Sequence, residues 1–451
     1  MFALKVRLAR LSRLLTRRLG RGGTTAPGRL LLRLEPRALE RLGSRLGGGS
    51  VLVSATNGKT TTASLLAGIL RGAGQALVHN RAGSNMHWGV ATALLDAGRA
   101  PAELGLLEVD EAWLPEVARR LGPSAIVLSN LFRDQLDRYG ELETLAERWA
   151  EMVATGPPST ALVLNADDPL IADLGRGRPN VAYFGIEDDG LALPGLQHAA
   201  DSKQCRNCGH AYVYEVAYLA HLGRYRCPNC GRERPQPTVA ARTVRLRGME
   251  GSDIELETPQ GTTSVSLPLP GVYNVYNALS AAATALELGV GLEQVRGGLE
   301  TVSAAFGRTE RLRVGDRDLS ILLVKNPAGA NEVLRTLLLA EEELDVWVAL
   351  NDGIADGRDV SWVWDADFEL LAGRVRRVTC SGTRAEEMAL RLKYAGVTVE
   401  PRVDRSVERS LDAALEDGRD GAPLYALPTY TALLELRDLL AVRGAAERWS
   451  A

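Results

Sequence analysis

The chain is poor in aromatics, with 7 Trp, 11 Tyr and 5 Phe in 451 residues. With so many Ala, Arg, Gly and Leu, this scarcity reflects genome base composition rather than a function. No stretch approaches the roughly 18 consecutive apolar residues that a membrane-spanning helix needs, so none is expected. The N-terminus lacks the continuous apolar core of a secretory signal. The net charge is only −3, which argues against general nucleic-acid affinity. Cysteine is scarce, five in all, too few and too closely paired for a disulfide framework. No repeat of solenoid period is present.

Acidic residues are nearly missing from residues 1–46, where only Glu35 and Glu40 face many arginines, among them Arg7, Arg10, Arg13, Arg17, Arg18 and Arg21. Leu4, Leu8, Leu11, Leu14, Leu15 and Leu19 interleave with them, which predicts a basic amphipathic helix. Two readings stay open. The helix contacts an anionic membrane face, or it packs on the next domain with its basic side solvated.

The strongest motif is Ser50-Val-Leu-Val-Ser-Ala-Thr-Asn-Gly-Lys-Thr-Thr-Thr62. An apolar strand, Val51–Val53, runs into a small-residue turn, and helical spacing follows from Thr62 to Leu70. Strand, glycine turn, Lys-Thr and helix make a phosphate cradle, because helix N-terminal N–H groups and the helix dipole favour an anion there. Thr56, Asn57, Gly58 and Thr61 would line it. Lys59 would reach the β- and γ-phosphates, and Thr60 would ligate Mg²⁺. The first glycine of the usual pattern is absent, since Val53 stands there. The plainer alternative is a capped helix start with a surface lysine.

Alternating strands and helices from residue 50 onward predict a doubly wound parallel α/β sheet, interrupted at 200–236 and followed over 237–268 by residues that alternate like paired strands. Expected strands include Leu104–Val109, Ala125–Asn130 and Ala161–Asn165. A second αβ series is expected from about residue 314, with strands near 319–324, 346–350, 376–380 and 424–427. Ligands in such sheets sit beyond the carboxyl ends of the strands. Glu108 falls at one such end and is the best Mg²⁺ carboxylate of the group Glu108-Val-Asp110-Glu111 and Asp167-Asp168. Asn130, Asn165 and the segment Asp134–Gly140 fall nearby.

Cys205-x-x-Cys208 and Cys227-x-x-Cys230, separated by 18 residues, have zinc-ribbon spacing. Four thiolates close a tetrahedral site, so the zinc is structural, and His210 and His221 stand outside it. Arg206, Arg224, Arg226 and Arg232 keep a nucleic-acid-binding ribbon open as a rival. Cys380, the fifth cysteine, reads as a core or edge residue and not as a nucleophile.

Ala55-Thr-Asn-Gly-Lys-Thr-Thr61, Asn165-Ala-Asp-Asp-Pro169, Asn274-Val-Tyr-Asn277 before an Ala-rich helix, and Gly307-Arg308-Thr-Glu-Arg311 follow one another as in Mur ligases. The resemblance runs from about residue 50 to the C-terminus. It implies a nucleotide-binding domain over 49–312 with a ribbon inserted at 201–236. A Rossmann-like domain over 313–451 and a basic segment over 1–48 complete the expected division. It implies ATP, Mg²⁺ and carboxylate activation, with Asn277 on adenine and Arg308 bridging to the nucleotide. The ribbon, Asn351–Trp362 and Pro428-Thr-Tyr-Thr431 narrow the likeness to the branch that amidates lipid II. That branch turns the α-carboxylate of D-glutamate in the stem peptide into D-isoglutamine. Its ammonia comes from a separate glutamine amidotransferase subunit of the GatD type, docked on the C-terminal domain. Of Asp352, Asp356 and Asp359, Asp352 is then expected at the ammonia delivery point or beside the partner's catalytic pair. Asp and Gly also form plain turns, so a structural role stays open for this segment. Departures matter too: Ala55 replaces glycine, Gln135 replaces histidine, and Lys325-Asn-Pro-Ala-Gly329 replaces the motif of amino-acid-adding members. No carbamylated lysine can be placed. A Mur- or folylpolyglutamate-type amino-acid ligase remains the rival within the family.

Overall fold

The computed structural model describes residues 2–18, 25–80, 84–97, 103–134, 142–302, 309–340, 342–418 and 421–446. Arg308 and Gln135 lie outside the described residues.

Two sheets organise the chain. The larger takes nine strands: β1 (Ser50–Ser54), β2 (Leu77–His79), β3 (Leu104–Glu108), β4 (Ala125–Leu128), β5 (Ala161–Asn165), β6 (Val181–Ile186), β9 (Val239–Leu246), β10 (Ser252–Thr258) and β11 (Gly261–Leu267). Between β6 and β9 the chain leaves the sheet to form a separate hairpin, β7 (Val213–Leu219) and β8 (Leu222–Arg226). The large sheet is ordered β11-β10-β9-β6-β5-β4-β1-β3-β2. From β2 to β9 every pairing is parallel, whereas β9, β10 and β11 pair antiparallel.

The second sheet takes β12 (Thr309–Val314), β13 (Arg317–Leu322), β14 (Leu344–Ala349), β15 (Val375–Ser381), β16 (Arg402–Val403) and β17 (Leu424–Pro428). Its order is β12-β13-β17-β14-β15-β16, parallel except at β12. The sheets are parallel as expected except at two edges; residues 237–268 already alternate like paired strands in the sequence, and only the reversal at β12 is not anticipated there. Residues 239–267 and 309–322 reverse through short turns, and a short turn can only join antiparallel neighbours.

Both sheets are covered on both faces, as parallel sheets require. Every residue of β1 is buried, and its alternation feeds two cores. Val51 and Val53 pack with Leu65, Leu66 and Ile69 of the Lys59–Gly72 helix on one side. Leu52 packs with Leu39, Val90, Leu114 and Trp149 on the other. In the second sheet, Val346 and Val348 face the Pro327–Leu337 and Ala385–Tyr394 helices. Trp347 faces Val407–Asp417 and Tyr430–Val442.

Strand β1 lies at the switch point of the large sheet. The connection leaving it runs to β2 at one edge, and the chain after β3 crosses to β4 on the other side. The open crevice therefore falls at the carboxyl end of β1. There Gly58 turns the chain with φ +88°. A Cβ at Gly58 would sit 2.0 Å from Asn277 Oδ1, so glycine is needed for conformation and for clearance alike.

Gly58→Ala should therefore cost more than left-handed strain alone. Gly74, at φ +82° with nothing within 4 Å of its would-be Cβ, is the control. Gly74→Ala should cost about 1–2 kcal/mol, and Gly58→Ala clearly more, read as the lower of two melting temperatures. Equal melting temperatures would mean that Asn277 yields freely.

Candidate active site

The cradle is built by β1 and held from both neighbouring strands. The peptide N–H of Thr56 donates to Asn130 O at 3.0 Å, and that of Asn57 to Asn130 Oδ1 at 2.9 Å. Asn130 Nδ2 returns a bond to Asn57 O at 3.0 Å. Asn130 thus serves the loop as a neighbouring strand would. Thr56 Oγ1 accepts from Phe132 N at 3.0 Å, and Thr61 is buried against the same crevice.

Lys59 opens the helix and is 6 % exposed. Its ammonium meets Glu111 Oε2 at 2.7 Å and also bonds Ala55 O. Burial pulls its pKa down, but the facing Glu111, Asp110 and Glu108 carboxylates outweigh that and hold it above the ordinary lysine value. Glu111 is fixed in turn by Trp149, whose Nε1 donates to Glu111 O at 3.0 Å. Thr60 Oγ1 lies 3.0 and 3.1 Å from the two oxygens of Glu108. Asn80 anchors Glu108 through its backbone, accepting from the N–H at 2.8 Å and donating to the carbonyl at 2.7 Å. A hydroxyl and a carboxylate so placed at a helix N-terminus can share an octahedral cation with phosphate oxygens. The expected Thr60–Glu108 pair is therefore brought together.

Asn277 comes from the Val272–Glu287 helix. Its Oδ1 accepts from Thr62 Oγ1 at 3.2 Å, and its Nδ2 donates to Asn274 Oδ1 at 3.0 Å. Asp167 is wholly buried behind it, accepting from Tyr276 OH at 2.7 Å and Ile186 N at 3.0 Å and pairing with Arg234. Burial raises the Asp167 pKa, only partly offset by Arg234. Asp168 caps the Pro169–Ala172 turn. Both aspartates are structural here, and neither reaches a cation position.

The second sheet supplies a wall that the site selection from sequence left out. Lys325 and Asn326 follow β13. Lys325 Nζ donates to Thr56 O at 3.1 Å and pairs with Asp134. Asn326 caps the Pro327–Leu337 helix and exchanges amide bonds with Asn57, at 3.2 and 3.0 Å. The available signal was an Asn-Pro pair just past a strand, which marks a helix start at a ligand-facing edge. Asn57, Gly58, Asn277, Tyr273, Lys325 and Glu332 line one cleft between the sheets, about 880 Å³ counting its open mouth.

Asp352 lies beyond β14, and β17 separates β14 from β13 in the same sheet. It is therefore two strand spacings, roughly 10 Å, along the same carboxyl edge. Asp352 accepts from Thr383 Oγ1 and Arg384 Nε, both at 2.8 Å. The Thr383 hydroxyl and then Arg384 hold its pKa below the usual carboxylate range against slight burial. Its side chain keeps a third of its surface exposed. Asp356 is instead buried against Thr431, and burial raises its pKa. Asp359 turns back to the Ser361 N–H at 2.8 Å. Asn351 bonds Thr429 and Thr431, so the two C-terminal motifs form one knitted loop.

The four ribbon sulfurs lie within 4.8 Å of one another, with Cys205–Cys230 at 3.6 Å and Cys208–Cys227 at 3.5 Å. A tetrahedral site with Zn–S near 2.3 Å needs sulfurs about 3.8 Å apart, so the quartet fits a metal ion. Gly209 and Gly231, each after a second cysteine, take φ of +73° and +71° and complete two matching knuckles. The Arg232 N–H holds the Cys230 thiol down to about 6, while burial raises Cys227 to about 11. His210 is exposed outside the cluster, and His221 is buried at the hairpin turn. Arg224, Arg226 and Arg232 are paired with Asp189, Glu215 and Asp173, which weakens the nucleic-acid reading. Cys380 is fully buried, and burial raises its thiol to about 12, so it is no nucleophile.

Because Lys59 and Glu111 are both buried, removing one should strand the other. Glu111→Gln should cost about 3 kcal/mol, seen as an earlier urea midpoint. Lys59→Met combined with it should recover most of that loss. Purely additive effects would show that the two charges do not support each other.

A model of the Mur ligase middle domain matches residues 53–230, and one of the MurT ligase C-terminal domain matches residues 323–433. The Staphylococcus aureus (strain N315) lipid II isoglutaminyl synthase (glutamine-hydrolyzing) subunit MurT is 32 % identical over 96 % of this chain and 97 % of its own length. Its Streptococcus pneumoniae (strain R6) counterpart is 34 % identical over 94 % of each. A Mycobacterium tuberculosis folylpolyglutamate synthase solved with ADP and AMPPCP shares the fold, with a TM-score of 0.64 at 16 % identity over 92 % of this chain and 95 % of that one. Near-full-length likeness at this level, together with the cradle, the ribbon and the knitted C-terminal loop, places the chain in the MurT family, the Mur-ligase-type subunits of lipid II isoglutaminyl synthase.

Proposed function

We propose that this chain uses MgATP to phosphorylate the α-carboxylate of D-glutamate in the lipid II stem peptide, and that ammonia displaces the phosphate to leave D-isoglutamine. The observation that carries this is the convergence of the cradle loop with Lys325 and Asn326 on one cleft. A carboxylate resists attack because it is anionic and its oxide leaves badly. Phosphorylation cures both faults, and the protein then positions the partners and neutralises charge. Lys59 would leave Glu111 for the phosphates. Thr60 and Glu108 would hold Mg²⁺, and Asn277 with Arg308 would seat the nucleotide. The four cysteines would hold a structural zinc. Lys325 faces the cleft where an amino-acid-adding enzyme carries a different motif, which favours ammonia over an amino acid.

The only cysteine outside the ribbon is sealed in the core, so glutamine-derived ammonia must come from a separate glutaminase subunit, by the likeness one of the GatD type. Asp352 supports docking on the C-terminal sheet. It is polarised by Thr383 and Arg384 but still open to solvent, and its neighbour Ile354 is 76 % exposed. This reading assigns residues 49–312 to the nucleotide and 313–451 to the partner. Asp352→Asn in the two-subunit complex should cut glutamine-dependent amidation at least tenfold. The measure is the one-dalton mass loss of lipid II, with MgATP affinity unchanged. Full activity with glutamine would remove Asp352 from the reaction.

We also propose that the N-terminal helix meets an anionic membrane, where a lipid-linked substrate resides. Its inner face is committed: Val6 and Ala9 are buried, Lys5 pairs with Glu35 and Arg13 with Asp96. Its outer face exposes Leu4, Leu8 and Leu11 in a line at helical spacing, beside an exposed Arg7. Residues 1–34 hold no acid at all. Among the described residues, no helix is long and apolar enough to cross a membrane. The wild-type chain should float with vesicles containing phosphatidylglycerol, and a Leu4, Leu8, Leu11→Ser variant should not. Equal flotation would leave the packed helix as the whole account.

A further inference from the structure

The ribbon is not a remote appendage. Its hairpin runs from the cysteine knuckles at one end to the turn Leu219-Ala-His-Leu222 at the other, and that turn is buried between the two sheets. Leu219 and Leu222 are 4 % and 1 % exposed and line the cleft that Asn57 and Gly58 enter from the phosphate side. Leu269, Tyr273 and Val333 complete an apolar slot with them.

The turn is pinned from several directions. Ala220, at φ +47°, is the one non-glycine among the described residues in the left-handed region. Such a conformation persists only where the surroundings enforce it. Its N–H donates to Gln197 Oε1 at 2.8 Å, and the Gly223 N–H donates to Asp167 O at 2.9 Å. His221 is fully buried against Phe132, with Nδ1 accepting from Asp201 N at 3.2 Å. From the Pro327–Leu337 helix, which covers the second sheet, Arg335 Nη1 donates to Tyr218 O at 2.8 Å and pairs with the buried Glu332, another cleft residue. At the far end, Tyr212, Tyr214 and Tyr225 pack on the cysteines. Metal knuckles, tyrosine layer, strands and turn thus form one continuous unit.

We infer that the zinc-held hairpin positions the nucleotide, with Leu219 and Leu222 forming the wall against which the base lies. An apolar slot leading from a phosphate-binding loop is suited to a flat, weakly polar ring. The cysteine end gives a two-stranded hairpin, marginal by itself, the rigidity to present that wall. This inference rests on the reading that a nucleotide occupies the cleft.

The test separates base from phosphate. The zinc-loaded full-length chain is titrated calorimetrically with MgADP and with magnesium tripolyphosphate. Leu222→Ala should weaken MgADP about tenfold, the worth of one apolar side chain on the ring, and leave tripolyphosphate unchanged. The KM for ATP should rise while kcat at saturation holds. Arg335→Gln, which unties Tyr218 and loosens Glu332 but removes no apolar side chain, should show the same selective loss and serves if Leu222→Ala does not fold. Chelation of the metal should reproduce the loss, and added zinc should reverse it. Unchanged MgADP affinity in both variants overturns the inference, and so does equal weakening of both probes. If the wild-type chain takes up tripolyphosphate but no MgADP, or neither, the nucleotide reading itself falls first.

Discussion

A buried ammonium must have a counter-charge, and much of this site follows from that need. Lys59 stands at the first position of a helix that begins inside the protein, where water barely reaches it. Glu111 answers the charge at 2.7 Å. To stand there it needs a fixed backbone, which Trp149 supplies from the Leu142–Thr155 helix across the core. The same lysine explains the crowd of acids after β3. Glu108, Asp110 and Glu111 together outweigh the burial that would otherwise neutralise it. Loss of one partner from such a pair costs roughly 3–5 kcal/mol. On the proposed reading, an arriving triphosphate replaces Glu111 as the counter-ion, and a cation between Thr60 and Glu108 offsets the added negative charge.

The second constraint is that the cleft belongs to neither sheet alone. Asn57 and Asn326 satisfy each other's amides across the gap, and Lys325 bonds the carbonyl of Thr56, inside the cradle. The loop is thus held by Asn130 on its own sheet and capped by the opposite sheet as well. The nucleotide loop and the sheet carrying Asp352 are therefore mechanically linked. Along that sheet edge, Lys325 and Asp352 are separated by one intervening strand end, at Pro428-Thr429. On the proposed reading, activation and ammonia delivery share one continuous edge.

Much of this was legible in the residues. The run Ser50–Thr62 announced a strand, a turn and a helix start, because apolar continuity, glycine and Lys-Thr each have a local physical meaning. The four cysteines announced their own cluster by spacing. What was not legible came from distance in sequence. Lys325 and Asn326 read as a departure from a motif, and nothing local says that they meet Asn57 and Thr56, about 270 residues away. Glu111 was one acid among several until Trp149 and Lys59 were placed around it. The paired strands of 237–268 show in their alternation, whereas the antiparallel edge at β12 escapes a rule that assumes a helix between every pair of strands. By spacing, His221 is a bystander to the metal. It is one, but it is also the buried centre of a turn that touches both halves of the molecule.

The burial of Cys380 bears on the whole arrangement. An acyl phosphate is destroyed by water, so the site that forms it must be closed at the moment of attack. Glutamine hydrolysis needs the opposite, an exposed thiolate and a water to release the product acid. One pocket serves both demands badly. In this chain the thiol outside the ribbon sits within the core of the second sheet, raised by burial to about 12, and it cannot act as a thiolate near neutral pH. On the proposed reading the hydrolytic half then belongs to the partner subunit, and ammonia is what crosses between the two. On the same reading Asp352, held by Thr383 and Arg384 at the sheet edge, is placed to accept a hydrogen bond from the ammonia that crosses.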